Sequence, residues 1–381
     1  MKNFFKDTFL YVIDYIKSTD IFLIFMSAGA SILSIALMFS LYPGQISNLR
    51  TIYVQIISSI IGFVCAIFIS NIDYHHITKL WKPIGISASI FTLLTLTPLG
   101  TLRGGDGAGS ADRSWVQLGF TNVQPSEFLK TAFIITLSYH CFKVSDHINE
   151  PKTFMRVLGH ALIPISIIFL QKDFGTMIIF ICIAACIIFV AGINWKIISA
   201  VIAMGVIALI LFLTNTLPDY LLKRLYVVNH LEETKRGLGM QQYTGRITLA
   251  SGRILGKGFN SDDILTKTPE LYNDMIFSHI GQILGFVGCI GVLLWLFLFC
   301  LRLLQNGKNA PDDLGYFICV GIFAIMFFQS MVNLGMVLCL TPVIGVTLPF
   351  ISAGGSSVVA TYILLGLALS VHNHTHKSTL F

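Results

Sequence analysis

Charge is the scarcest ingredient of this sequence. Asp, Glu, Lys and Arg make up 12% of its 381 residues, where soluble domains carry about 25%. So few charges cannot cover a solvated surface, which excludes an ordinary soluble domain. With 55% hydrophobic residues, 30 of the 381 being Phe, the chain reads as a polytopic membrane protein. Metal-ligand spacing is missing as well. The eight cysteines (Cys65, Cys141, Cys182, Cys186, Cys289, Cys300, Cys319 and Cys339) lie within or beside apolar runs. Cys182 and Cys186, four apart in one apolar helix, fit buried small hydrophobes better than a zinc site or a disulfide. No cleavable signal is expected, because Asp7, Asp14, Lys17 and Asp20 interrupt any apolar core before the first span. Phe4, Phe5, Phe9, Val12, Ile13 and Ile16 would form one side of a short interfacial helix. The net charge of +6 could suggest nucleic acid, but many of the charges follow membrane topology instead.

What the chain does have is a series of apolar runs near the ~20 residues that a helix needs to cross hydrocarbon. They fall near 21–42, 52–71, 80–98, 125–142, 156–171, 174–193, 196–215, 275–301, 313–339 and 344–370. The expectation is an all-α polytopic membrane protein of about ten transmembrane helices, with residues 1–381 as one membrane domain. The pair 156–171 and 174–193 is divided only by Gln171-Lys172-Asp173, which allows a tight turn. Merging that pair would bury Lys172 and Asp173 at high cost. Lys2, Lys6, Lys17, Lys79, Lys82, Lys143, Lys152, Arg156, Lys196, Arg302, Lys308 and Lys377 all fall on one side of this arrangement. Basic residues mark the cytoplasmic side, so both termini are expected there.

One long polar stretch breaks the pattern. Residues 216–274, between the seventh and eighth spans, form a large extracytoplasmic loop in this topology. It carries Lys223, Arg224, Lys235, Arg236, Arg246, Arg253, Lys257 and Lys267. Within it, Gly252-Arg253-Ile254-Leu255-Gly256-Lys257-Gly258 has the composition of a phosphate-binding loop but not the Walker spacing. Its amides and basic side chains could still serve a phosphate. Asp274 stands where the loop meets the eighth span. It reads either as a solvated cap or as a general base at a cavity mouth.

Other polar groups gather on the same side. Pro125 suits the first helical position and Glu127 the first turn. Lys130 follows three residues later, so that the two can pair, and a lysine entering a span is costly unless paired or functional. Gln171-Lys172-Asp173-Phe174-Gly175-Thr176 fits a polar hairpin turn. Leu348-Pro349-Phe350-Ile351-Ser352-Ala353-Gly354-Gly355-Ser356-Ser357 suggests a re-entrant or broken helix start, tolerated only where it lines a polar cavity or is buried in protein.

Together these segments resemble the SEDS family of rod-shape, division and sporulation proteins (RodA, FtsW and SpoVE), RodA most of all. The resemblance runs over nearly the whole chain. It rests on Ser114-Trp115 with Gly119, Gln124-Pro125-Ser126-Glu127 with Lys130, and Gln171, Asp173, Gly175 and Thr176. It continues through Gln241, Gly252, Gly256-Lys257-Gly258, Pro269-Glu270 and Asp274. It ends with Asn333, Gly335, Pro342, Gly345, Leu348-Pro349-Phe350, Ser352 and Gly354-Gly355-Ser356-Ser357. The chain departs from the family pattern in Tyr272-Asn273, in Arg253 and Ala353, and in Gln282-Ile283, where carboxylates are expected.

The resemblance implies a peptidoglycan glycosyltransferase that polymerises lipid II during cell elongation. It also implies a class B penicillin-binding protein as partner, within the elongation or division machinery. In that reading Asp274 is the essential carboxylate and catalytic base. Trp115, Glu127, Lys130, Arg246, Lys257, Ser352 and Ser356 meet the substrate, and Pro125, Gly175, Pro349, Gly354 and Gly355 shape the backbone. Lysine and arginine can balance a departing diphosphate without a bound metal, so no metal site and no cofactor are expected, although a divalent cation is compatible. A lipid-linked sugar flippase and a non-catalytic scaffold for the transpeptidase are the competing readings.

Overall fold

A computed structural model describes residues 15, 18–42, 44–46, 48–103, 112–118, 121–194, 219–259, 261, 263–264 and 267–378. The expected span at 196–215, the interfacial segment before residue 15 and the glycine run at 104–110 lie outside these residues.

The apolar runs are helices whose starts carry their own capping groups. α1 (Ile21–Ser40) is capped by Asp20, α2 (Leu49–Ser70) by Asn48 and α3 (Tyr74–Lys79) by Asp73, each side chain accepting a backbone N–H of the first turn. α4 (Trp81–Leu93) completes the third span. α5 (Pro125–Val144) and α6 (Pro151–Leu170) begin on a proline, whose missing N–H is one the helix could not have bonded. α7 (Phe174–Val190) is capped by Asp173. The polar segment after the masked span holds α8 (Asp219–Asn229), α9 (Leu231–Thr234) and α10 (Met240–Ser251). α11 (Ile276–Lys308), α12 (Asp313–Val337, capped by Asp312) and α13 (Gly355–Ser378) complete the bundle. Six described helices are long and apolar enough to cross a membrane, and two shorter apolar helices accompany them. The polytopic membrane reading is correct, and α6 and α7 are separate helices joined at Gln171–Asp173.

Three details differ from expectation. The fold is not wholly helical: β1 (Gly100–Arg103), β2 (Asp112–Leu118) and β3 (Thr121–Val123) form a small antiparallel sheet in order β1-β2-β3. About half of the described part of the polar segment is helix, in α8, α9 and α10. The last span starts at Gly355 instead of 344, because residues 338–354 run as turns and extended chain folded into the bundle.

At one end α11 joins the cap of the first helix to the last helix. Asp20 accepts from Arg302 Nε and Asn306 Nδ2, both at 2.7 Å, and His372 Nδ1 lies 3.2 Å from Asn306 Oδ1. At the same end His75 bridges Asp73 Oδ1 (2.8 Å) and Asp312 Oδ2 (2.6 Å), tying α3 to the cap of α12. Tyr74 donates to Asp312, and His374 acts on Asp73. Burial lowers the His75 pKa, but the bonds to the two carboxylates raise it more, so it stands above its ordinary 6.5. Burial raises Asp73, but its bonds from His75 bring it below its ordinary 3.8. The histidine contribution to stability is therefore complete below pH 6.5 and is lost as pH rises through the raised value. The Asp73 contribution is present above 3.8 and is lost only on falling through the depressed value. We expect the melting temperature in detergent to decline on the alkaline side of pH 6.5, and His75→Asn to remove most of that decline. Identical pH profiles for the two proteins would overturn this assignment.

Candidate functional site

Opposite that end, polar side chains converge at the starts of α5 and α7, the end of α12 and the entry to α11. Lys130 is buried one turn inside α5. Its ammonium sits 2.9 Å from Glu127 Oε1 and 2.9 Å from Gln329 Oε1 on α12. A buried ion pair of this kind needs further hydrogen bonds to offset its desolvation, and Gln329 supplies one. Gln329 cannot turn its amide round, since its Nε2 donates to Thr347 O (3.0 Å) and Thr347 Oγ1 (3.2 Å). One turn further along α12, Asn333 Nδ2 donates to Asp274 O (2.8 Å) and Val346 O (2.7 Å). Two side chains a turn apart thus clamp the extended segment Val346–Thr347, one reaching Lys130 and the other the main chain of Asp274.

Asp274 is only 8% exposed, and the space beside Gly345 (φ +68°) opens onto its Oδ2. Its neighbours are strapped to the re-entrant segment. Ser352 Oγ donates to Asn273 O (2.7 Å) and accepts from Leu348 N (2.7 Å), and Ala353 N donates to Tyr272 O (2.9 Å). Pro349 and Phe350 are the central pair of a turn closed by Ile351 N to Leu348 O, with φ +61° at Phe350, a position that usually takes glycine. Gln55, within apolar α2, donates to Ser34 Oγ and Ser352 O and accepts from Gly354 N. Ser356 Oγ accepts from Gln124 N just ahead of Pro125 (3.2 Å), and Ser357 Oγ lies 3.1 Å from Thr347 Oγ1.

The α6–α7 turn closes another side. Asp173 accepts from Thr176 N (3.0 Å) and Oγ1 (2.8 Å) and, at 3.4 Å, from Gln124 Nε2. Burial raises its pKa above the ordinary value, against the Thr176 bonds and the charge of Lys130. Gly175 leaves no room for a side chain, because a Cβ there would strike Ile344 O of the re-entrant segment.

Of the residues picked from sequence, the structure gathers Asp274, Glu127, Lys130, Ser352, Ser356, Pro125, Gly175, Pro349, Gly354 and Gly355 around this segment. Trp115 lies on β2, half-buried, with its carbonyl accepting from Thr101 Oγ1 at 3.3 Å. Arg246 is exposed on α10, beside the Cys339 thiol. Lys257 is engaged elsewhere: its ammonium donates to Asp263 O (2.6 Å), and its amide belongs to a joint with α11. There Gly285 (φ 68°, ψ −165°) breaks the helix. Lys257 N donates to Gln282 O (2.9 Å) and Gly258 N to Ile283 O (3.0 Å). In return, Phe286 N donates to Arg253 O (2.9 Å) and Val287 N to Ile254 O (3.2 Å). The glycine-rich run therefore spends these amides on a broken membrane helix, not on a phosphate.

Sequence reasoning missed Gln55, Gln329 and His279. His279 is fully buried on α11, with Nε2 2.7 Å from Ser40 Oγ and Nδ1 3.3 Å from Gln282 Oε1. A glutamine or histidine inside an apolar run is a signal in itself, because it must find a partner there.

With this geometry in view, kinship can be set beside it. The family model described as cell cycle protein, covering FtsW, RodA and SpoVE, matches residues 17–377. The chain belongs to this family. Stage V sporulation protein E of Bacillus subtilis (strain 168) is 32% identical over 326 residues, 84% of this chain and 86% of that one. A probable peptidoglycan glycosyltransferase FtsW of Trichlorobacter lovleyi is 28% identical over 321 residues, 83% of this chain and 82% of that one. Among solved structures, a chain from work on structural coordination of polymerization and crosslinking by a peptidoglycan synthase complex shares the fold. Its TM-score is 0.78 at 24% identity, covering 94% of this chain and 99% of that one.

Proposed function

We propose that the protein is a peptidoglycan glycosyltransferase that polymerises lipid II. The observation that carries this reading is the clamp on α12, which holds a buried lysine and the main chain of a nearly buried aspartate at successive turns beside one extended segment. Transfer of a sugar from a diphosphate needs a base for the acceptor hydroxyl and positive charge for the departing group. Asp274 takes the proton from the acceptor 4-hydroxyl as that oxygen bonds to C1 of the donor sugar. The C1–O bond to the diphosphate then breaks with inversion. Lys130, held by Glu127 and Gln329, balances the charge that develops on the leaving diphosphate. Arg224, whose Nη1 donates to Val343 O (3.0 Å), adds a cation to the re-entrant segment, and Arg246 is proposed to assist from the exposed side.

The lipid tail has a place to lie. An open-sided apolar groove of about 610 Å³ runs between α2, α4, α5 and α13, lined by Ile69, Phe91, Phe128, Ile135 and Leu367 among others. Phe128 puts one end of this groove level with the start of α5, where Glu127 and Lys130 stand on other faces of the same helix. The relatives named above are a sporulation protein and a glycosyltransferase. The function proposed is therefore glycan polymerisation as such. The partner proposed is a class B penicillin-binding protein, as the family resemblance implies, in keeping with a structural relative that comes from a synthase complex coordinating polymerization and crosslinking. A scaffold role is favoured by one observation: Gln282, where the family resemblance leads one to expect a carboxylate, is a buried amide whose Nε2 has no partner among the described residues.

The test is lipid II given to purified protein in detergent micelles, where no second compartment exists. Glycan strands are expected, since a flippase or a scaffold would leave lipid II unpolymerised. Absence of polymer, with and without the partner transpeptidase, would overturn the proposal.

A further inference from the structure

The end of the bundle away from Asp274 carries cations of a distinct kind at one corner. Trp81 opens α4, Tyr139 and Lys143 lie in the last turns of α5, and Arg156 and His160 stand in the first half of α6. The Trp81 ring is 6.1 Å from Tyr139 and 6.0 Å from His160. His160 stacks on His140, and their Nδ1 atoms are 2.9 Å apart. Because His140 faces His160 across α5 and α6, Arg156, one turn back along α6, lies level with the end of α5 that carries Lys143. Its charge is felt at His140. Lys82 Nζ sits 5.6 Å from the Trp81 ring centroid and Lys143 Nζ 5.6 Å from that of Tyr139.

Unlike two others at this end, these three cations have no carboxylate partner among the described residues, a trait they share with Lys79, Lys152 and Lys308, and the Trp81–Tyr139 pair beside them sets them apart. Arg302 is paired with Asp20, and His75 with Asp73 and Asp312. Among the described residues no carboxylate pairs with Lys82, Lys143 or Arg156. All three are exposed, so water alone could solvate them. Their surroundings argue for more than water. Tryptophan and tyrosine with lysine and arginine mark a membrane–water boundary. The helix surface that continues from them towards the membrane interior is apolar and exposed, with Ile86 at 60%, Ile90 at 56% and Ile163 at 59%. An inorganic anion would use the charges and ignore that surface, whereas a phospholipid uses both.

We propose that this corner binds the phosphate of an anionic phospholipid, with the head group among Lys82, Lys143 and Arg156 and the first acyl carbons against Trp81 and Tyr139. The binding is non-covalent and independent of the glycosyltransferase reading. It makes the lipid a fixed neighbour of α4, α5 and α6, the last two of which lead to the opposite ends that carry Lys130 and Gln171.

The experiment is native mass spectrometry of the full chain in detergent, titrated in parallel with phosphatidylglycerol, phosphatidylcholine and inorganic phosphate. The wild type should retain phosphatidylglycerol at least ~10-fold more than phosphatidylcholine at equal concentration, as expected for about one charge-assisted contact beyond those a zwitterionic lipid makes. The triple variant Lys82→Gln, Lys143→Gln, Arg156→Gln should lose that preference, and the double variant Lys82→Arg, Lys143→Arg should keep it. Should the triple variant not fold, Lys82→Gln with Lys143→Gln is read in the same way. Equal retention of the two lipids by the wild type, or an unchanged preference in the glutamine variants, would overturn the proposal. So would inorganic phosphate displacing phosphatidylglycerol at equal concentration, since the acyl contacts would then contribute nothing.

Discussion

Gly285→Ala is expected to destabilise the protein by roughly 2–6 kcal/mol, the sum of about 1–3 for a backbone region that L side chains avoid and about 1–3 for forced backbone movement. The position has φ +68°, and an added Cβ would run into Gly256 N and Ile254 O, which are backbone atoms that cannot swing aside. Four hydrogen bonds between residues 253–258 and α11 depend on that close approach. Losing it would leave carbonyls of a membrane helix without partners, where water cannot replace them. Gly291→Ala, on the same helix with nothing within 4 Å of its Cβ, should be neutral or stabilising by up to ~1 kcal/mol. Thermal unfolding of both variants in detergent reads the difference. A Gly285→Ala protein that melts with the wild type would remove the joint from the account of stability.

Asp274→Asn is expected to insert and fold normally while polymerising lipid II at least ~100-fold more slowly, at the low end of what a general base contributes. The carboxamide has nearly the shape of the carboxylate, and the Asn333 bond goes to the main-chain carbonyl, so the clamp on Val346 survives. What is lost is the ability to take a proton. The initial rate of lipid II consumption shows the change directly, and an unchanged rate would mean that Asp274 is not the base.

The sequence made the spans legible because crossing hydrocarbon demands apolar length, and that demand is local. The Pro125 start and the Glu127–Lys130 pair were readable for the same reason: each depends on residues within one turn. The joint at Gly285 was not readable. Residues 252–258 look like an anion-binding turn when read alone, and their partners in α11 come about thirty positions later. The start of the last span was misplaced because Val343, Ile344, Val346, Leu348 and Ile351 are apolar. The segment stays unwound because Asn333, Gln329 and Gln55, on two other helices, bond its backbone. The sheet at 100–123 escaped because short strands in a polar connection give little periodic signal. The candidate residues were found as a set by resemblance, while Gln329, which joins the Lys130 pair to the segment beneath Asp274, was found only in three dimensions.

The central claim is that this chain joins sugars at Asp274. The measurement that tests it most directly is the glycan product formed from lipid II by wild-type and Asp274→Ala proteins, purified side by side in the same detergent and resolved by strand length. A ladder of polymer is expected from the wild type and none above background from the variant. A ladder of undiminished yield from Asp274→Ala would contradict the claim.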